Sequence, residues 1–170
     1  DDVVGAYRLL PSDRMQGAGR FYSESEYDLT ALKATGRKLV ELGRSCVHPD
    51  YRGGAAMLLL WNALAGYVLE RDIEILFGAA SFHGTDVQAL AQPLSYLHHN
   101  HLAPPELRVR AMAPHAAAMD IVTPEALDRR AAVAGMPGND LTWAMMCLTL
   151  SSFTVSSFTL KIAAEPRLPG

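Results

Sequence analysis

The stretch Glu41–Trp61, ELGRSCVHPDYRGGAAMLLLW, restricts the fold more than any other part of the 170-residue chain. Residues 38–47, KLVELGRSCV, read as a strand. HPDYRGG, residues 48–54, has turn composition. From Ala55 to Leu69 there is no charge, and Asn62 and Gly66 are the main breaks in an apolar run. That pattern predicts a long helix buried on most sides, lying across a sheet. A strand, a glycine turn and a helix start make a place for an anionic ligand, because the first helical N–H groups lack partners and the helix dipole favours negative charge there. Strict alternation sends Glu41 and Arg44 to opposite faces, and Gly43 between them is a position for a bulge that changes this.

The flanking segments supply the rest of an α/β layout. VVGAYRLL, residues 3–10, is β-prone and closed by Pro11, with Val4, Ala6, Arg8 and Leu10 on one face. Arg8 there is either a rim arginine with a carboxylate partner or an active-site guanidinium. FYSESEYDLTAL, residues 21–32, carries Glu24, Glu26 and Asp28. It reads as a solvated loop before a short helix, or as a lid that presents carboxylates to a cationic substrate. IEILFGAASF, residues 73–82, is a strand buried on both faces. Thr85 or Asp86 then caps a helix from about Val87 that Pro93 must kink or delay. His98, His99 and His101 have no carboxylate or cysteine at ligand spacing, and adjacent helical residues point apart, so no metal is expected and they read as solvated residues at a helix end. Residues 106–112 form an amphipathic strand, with Leu107, Val109 and Ala111 inward. Thr123 caps a short helix running to about Ala134.

Charge and cysteine content narrow the function classes. A net charge of −3 and the lack of a long basic run give no case for nucleic acid. Cys46 and Cys147 are far apart and in no metal spacing, which suits a reducing, cytoplasmic compartment. The chain opens at Asp1 on what reads as the inside of a strand, so the expectation is a fold incomplete at its start. Leu141–Leu160 is uncharged and about the length of a membrane span, but Ser and Thr fill it; one or two strands or an irregular tail are expected.

The order strand, glycine turn, long helix, strand, helix, strand is that of the GCN5-related N-acyltransferase (GNAT) fold. ELGRSCVHPDYRGG, with GAYRLLP before it and FYSESEYDL between, resembles the bacterial ornithine N-acyltransferases over about residues 3–137. The resemblance implies an α/β fold, a mixed central sheet with helices on both faces, incomplete at both ends. Residues 1–137 would be the acyltransferase domain and 138–170 an unmatched tail. It also implies an enzyme that moves a 3-hydroxyacyl chain from acyl carrier protein to the α-amino group of L-ornithine, giving lyso-ornithine lipid. Such an enzyme is cytoplasmic or peripheral to the inner membrane, which it would meet through its lipid product. The acyl-homoserine-lactone synthases share the fold, the Arg-Leu-Leu-Pro of Arg8–Pro11 and the Glu-x-x-Arg of Glu41 and Arg44. A related enzyme of that kind is the second reading, and an inactive fragment that binds acyl carrier protein is the third.

The implied reaction assigns roles residue by residue. Amine attack on a thioester needs a base, a hold on the amine and a stabilised oxyanion. Glu41 is the implied base, with Arg44 beside it; the alternative is that Glu41 is a structural partner of Arg44 or Arg8. Cys46, Val47 and His48 would polarise the thioester carbonyl through backbone N–H groups. Arg52, Gly53 and Gly54 would hold the phosphate of the phosphopantetheine arm. Ala55 and Met57 stand where acetyl-CoA-using relatives have glycines, which fits a donor without a nucleotide and no bound cofactor. Arg8 or Arg44 would take the ornithine carboxylate, and Glu24, Glu26 or Asp28 its second amine.

Overall fold

In the computed structural model the described residues are 2–15, 19–52, 55–113, 116–136 and 158–163. A mixed four-stranded sheet has the order β1 (Gly5–Pro11), β3 (Leu39–Val47), β4 (Ile75–His83), β6 (Phe158–Ala163). β1 runs antiparallel to β3, and β3, β4 and β6 are mutually parallel. The parallel step from β3 to β4 requires a crossover, and α2 (Ala56–Arg71) supplies it. A second, two-stranded sheet pairs β2 (Tyr27–Asp28) with β5 (Arg110–Ala111).

Alternation along the strands divides the core between the two faces. Leu10, Leu39, Ile75 and Phe77 pack with Phe21, Leu29, Leu32 and Leu107, the side occupied by α1 (Thr30–Ala34). Leu9, Val40, Leu42 and Leu76 face Trp61, Leu64 and Val68 of α2. Phe82 near the end of β4 packs on Leu94 and Leu97 of α3 (Ala91–Asn100). The expected mixed sheet with helices on both faces is therefore present.

Several local expectations are corrected. α2 is not buried on most sides: Leu59 is 64% exposed and Leu69 67%. It lays a single stripe on the sheet, and hydrophobicity all round hid which face that would be. Pro93 delays α3 to Ala91, where it falls in the first turn and removes no helical bond. The Asp86 carboxylate accepts from Gln88 and Ala89 N–H in the turn before it. The strand expected over 106–112 shrinks to β5, preceded by a 3-10 turn at Pro105–Leu107, although Leu107, Val109 and Ala111 do point inward. The helix expected from Thr123 is a 3-10 turn, Pro124–Ala126, and then α4 (Arg129–Ala134). Its cap is Asp128, whose carboxylate accepts from Arg130 and Ala131 N–H. Of the uncharged stretch Leu141–Leu160, residues 158–160 lie in β6 and the others lie outside the described residues. No helix among the described residues is long and apolar enough to cross a membrane.

Candidate functional site

The bulge anticipated in β3 is present, one residue further on. Between the pairs Ala6–Cys46 and Arg8–Gly43, β1 advances two residues while β3 advances three. The extra residue lies at Arg44–Ser45, and Arg44 takes the left-handed backbone at φ 55°, an uncommon conformation for a side-chain-bearing residue. Gly43 contributes differently: a side chain there would begin 3.2 Å from the Arg8 guanidinium, so its bare Cα leaves Arg8 room to lie across the strand.

The bulge brings Arg44 to the side that Glu41 occupies, and both meet Tyr22. The guanidiniums of Arg8 and Arg44 lie 5.5 and 5.9 Å from the Tyr22 ring centre, within cation–π range. Among the described residues neither arginine has a carboxylate at ion-pair distance. Both are exposed. The result is a pair of cations around one aromatic ring, able to take an anionic group.

Glu41 is 2% exposed and its partners are not arginines. One carboxylate oxygen accepts the Tyr22 N–H at 2.9 Å. The other accepts the Ser23 N–H at 2.7 Å and the Ser23 hydroxyl at 2.6 Å. Glu41 thus receives the start of the 3-10 turn Tyr22–Ser25, and the charge is matched by three donors in the core. The expectation of Arg8 or Arg44 as its structural partner is corrected to Tyr22 and Ser23. Nothing in the sequence names these two; at the same turn start the Glu24 carboxylate accepts the Phe21 N–H at 2.7 Å.

The three acidic residues of this segment diverge. Glu24 also pairs with Lys33 at 2.7 Å. Asp28 accepts from Thr30 N–H at the start of α1. Hydrogen bonds from Thr30, helped by the charge of Arg110 on the paired strand, hold the Asp28 carboxyl below its ordinary value. Glu26 lends its carbonyl to the Met112 N–H.

The other half of the site is a gap in the sheet. The β3–β4 ladder runs only from Leu39–Ile75 to Leu42–Gly78. Beyond it β3 continues to Val47 on β1, while β4 continues to His83 on β6. A wedge therefore opens between the Arg44–Val47 edge and Ala79–His83, and in this wedge the facing strand edges have no ladder partner among the described residues. At the apex, a Cβ on Gly78 would collide with the Leu42 carbonyl oxygen. Gly78 was not singled out by sequence, although an isolated glycine in a strand is the usual sign of close backbone approach.

The turn after β3 holds Arg52, whose Nε–H donates to the Val47 carbonyl at 3.1 Å. The His48 N–H donates to the Val4 carbonyl, and Asp50 N–H reaches His48 Nδ1. Cys46 is exposed and free. Gly53 and Gly54 lie outside the described residues. Beside the turn an open groove of about 610 Å³ is lined by Val3, Gly5, Tyr51, Arg52, Leu59 and Leu60 among others. Away from this corner, His98 and His99 are partly buried rather than solvated, and Asp120 lies beside them.

Residues 1–62 match the family model described as an acetyltransferase (GNAT) domain. The chain is 69% identical over 137 residues to a protein of Rhodobacter capsulatus named L-ornithine N(alpha)-acyltransferase, covering 81% of this chain and 52% of that one. A Brucella abortus protein of the same name is 42% identical over 137 residues, 79% of this chain and 49% of its own. One of Agrobacterium fabrum, also so named, is 41% identical over 139 residues, 81% and 47%. The chain spans about half the length of the curated relatives it matches. No solved structure matches it.

Proposed function

This chain has a GNAT fold and is a relative of the L-ornithine N(alpha)-acyltransferases, and on that premise we propose that it moves an acyl chain from a thioester to the α-amino group of L-ornithine. The donor is a 3-hydroxyacyl acyl carrier protein, and the product is lyso-ornithine lipid, which draws the protein to the inner face of the membrane. The observation that carries acyl transfer is the wedge between β3 and β4, where an extended arm can add to open strand edges beside two cations. The choice of ornithine rests on the names of the relatives.

In this reading the pantetheine arm lies in the wedge and its phosphate meets Arg52 at the turn, with Gly53 and Gly54. The thioester carbonyl is polarised by a backbone N–H of the Cys46–His48 segment other than that of His48, which is already donated to Val4. The neutral amine attacks the carbonyl carbon, a C–N bond forms, the C–S bond breaks, and the leaving thiolate takes up a proton. Arg8 and Arg44 bind the ornithine carboxylate. None of Glu24, Glu26 and Asp28 is without a partner, Glu24 being paired with Lys33 and Asp28 bonded to Thr30, so the second amine binds there in competition with existing bonds. Glu41 fixes the turn that holds Tyr22 against both arginines; it takes the amine's proton only where that turn moves aside.

The experiment is to incubate the folded chain with 3-hydroxyacyl carrier protein and ornithine and to seek N-acylornithine by mass spectrometry. Product formation supports the proposal. A lactone formed with S-adenosylmethionine would move the reading to the homoserine-lactone enzymes. No turnover by a chain that still binds acyl carrier protein would replace it with a binding module.

A further inference from the structure

The end of α3 gathers a second group of chemistry-bearing side chains, none of which takes part in the bonds around Tyr22. Its foundation is Ser95, fully buried. The Ser95 hydroxyl donates to the Met119 carbonyl at 2.9 Å and accepts the N–H groups of Ile121 and Val122 at 3.0 and 2.9 Å. One donor and two lone pairs are thereby all used. They strap residues 119–122 to the helix.

One turn further along the same helix face, His99 Nε2 lies 2.9 Å from the Val122 carbonyl oxygen and 3.2 Å from Asp120 Oδ1. The His98 ring stands edge-on to His99, with centroids 5.2 Å apart. One ligand atom from each of His98, His99 and Asp120 falls within 4.8 Å of the others. Adjacent helical histidines thus do not point apart here, and the carboxylate absent from the local sequence is delivered by an irregular strap more than 20 residues on, at a place that Ser95 fixes.

We propose that His98, His99 and Asp120 form a binding site for a divalent transition-metal ion, with zinc the best match. Two imidazoles and one carboxylate suit zinc and its neighbours, whereas calcium and magnesium select sets of oxygens. Around a tetrahedral ion with bonds of about 2.0–2.1 Å, ligand atoms stand about 3.3 Å apart. The His99–Asp120 pair already has that spacing. All three ligand atoms lie within 4.8 Å of one another, and closing them around an ion requires the side chains to turn inward; that of Asp120 is 63% exposed. The ion takes the place of the proton on His99 Nε2, so the hydrogen bond to the Val122 carbonyl is exchanged for the metal bond, and water completes the coordination. The site is built into the strap: the ion trades the His99–Val122 bond for a link through Asp120, while Ser95 still holds residues 119–122 to α3.

The test uses the untagged full chain, stripped with chelator and titrated with zinc sulfate by calorimetry and by thermal melting. Uptake of one ion per chain with a rise in Tm is expected. Asp120→Asn and His98→Gln should each weaken binding at least about tenfold, while His101→Gln, whose ring lies against Tyr96, should leave it unchanged. Both cluster substitutions are mild, and the metal-free melts of the variants report whether each folds. No uptake, or uptake indifferent to Asp120→Asn and His98→Gln in folded variants, would overturn the site and leave His99 as a clasp on Val122.

Discussion

Replacing Glu41 by Gln separates a structural carboxylate from a catalytic one, and the structure sets the size of the effect. The carboxylate receives two backbone N–H groups and one hydroxyl in a site with almost no solvent contact. An amide keeps one accepting oxygen and turns an NH2 toward the rest. The Ser23 hydroxyl can rotate to accept from that NH2, but a backbone N–H then remains unpaired. A buried unmatched donor costs about 1–3 kcal/mol, and loss of the charge-assisted bonds adds to it, so about 2–4 kcal/mol is expected. Ser23→Ala keeps the charge and both backbone donors and should lose only about 0.5–1.5 kcal/mol. Urea denaturation of both variants and of the double mutant measures these values and their coupling. A Glu41→Gln loss below about 0.5 kcal/mol would refute the hydrogen-bond account. Turnover then divides the roles. A carboxylate that only holds the turn makes both variants lose acceptor affinity in proportion to their lost stability. A base makes kcat collapse in Glu41→Gln while Ser23→Ala retains it.

Other parts of the corner yield shorter tests. Gly78→Ala drives a methyl into the Leu42 carbonyl and should cost about 1–3 kcal/mol, with chemical denaturation as the readout; a neutral effect would mean the apex of the wedge is looser than drawn. Arg8→Gln and Arg44→Gln should each raise the KM for ornithine about tenfold or more with little change in Tm, since both guanidiniums are exposed and unpaired with carboxylates among the described residues; unchanged KM in both would remove the carboxylate assignment. His101 is held below its ordinary value by burial and by the charge of Arg129. A depressed folded pKa gives stability that is present above about pH 6.5 and is lost as pH falls below it, so Tm should decline on acidification and decline less in His101→Gln.

The fold was legible where a period or a stop signal was local. β1, β3 and β4 start and end within two residues of their sequence readings because β-branched runs there are closed by Pro11, by His48-Pro49 and by Gly84. Tertiary choices were not legible. In AAMLLLWNALAGYVL only Asn62 and Gly66, one turn apart, weaken a stripe, and the exposed leucines Leu58, Leu59 and Leu69 mask that signal; Trp61, Leu64 and Val68 are selected by Val40 and Leu76 beneath them. Asp128 displaced Thr123 as a cap because two residues of the same class competed and the deciding contact, Gln92 holding the Asp128 N–H, comes from 36 residues away.

The site shows the same division more sharply. Glu41 and Arg44 stood out as charges on a buried strand, and the bulge between them could be anticipated from Gly43. Yet alternation alone would have put them on opposite faces, and only the left-handed turn at Arg44 itself sets both against Tyr22. A single backbone angle thus decides whether the two charges share one side. Its cost is carried by the residues on either flank: Gly43 makes room for Arg8, and Tyr22 lies under both cations. The corner therefore behaves as one unit. Arg44→Gly keeps the left-handed bulge but removes its strain and the cation together, so a gain in stability and a loss of anion binding should appear in one variant. Arg44→Asn, which tolerates the left-handed backbone without the charge, is the companion to Arg44→Gln: a matching rise in KM in both assigns the effect to the guanidinium rather than to the backbone.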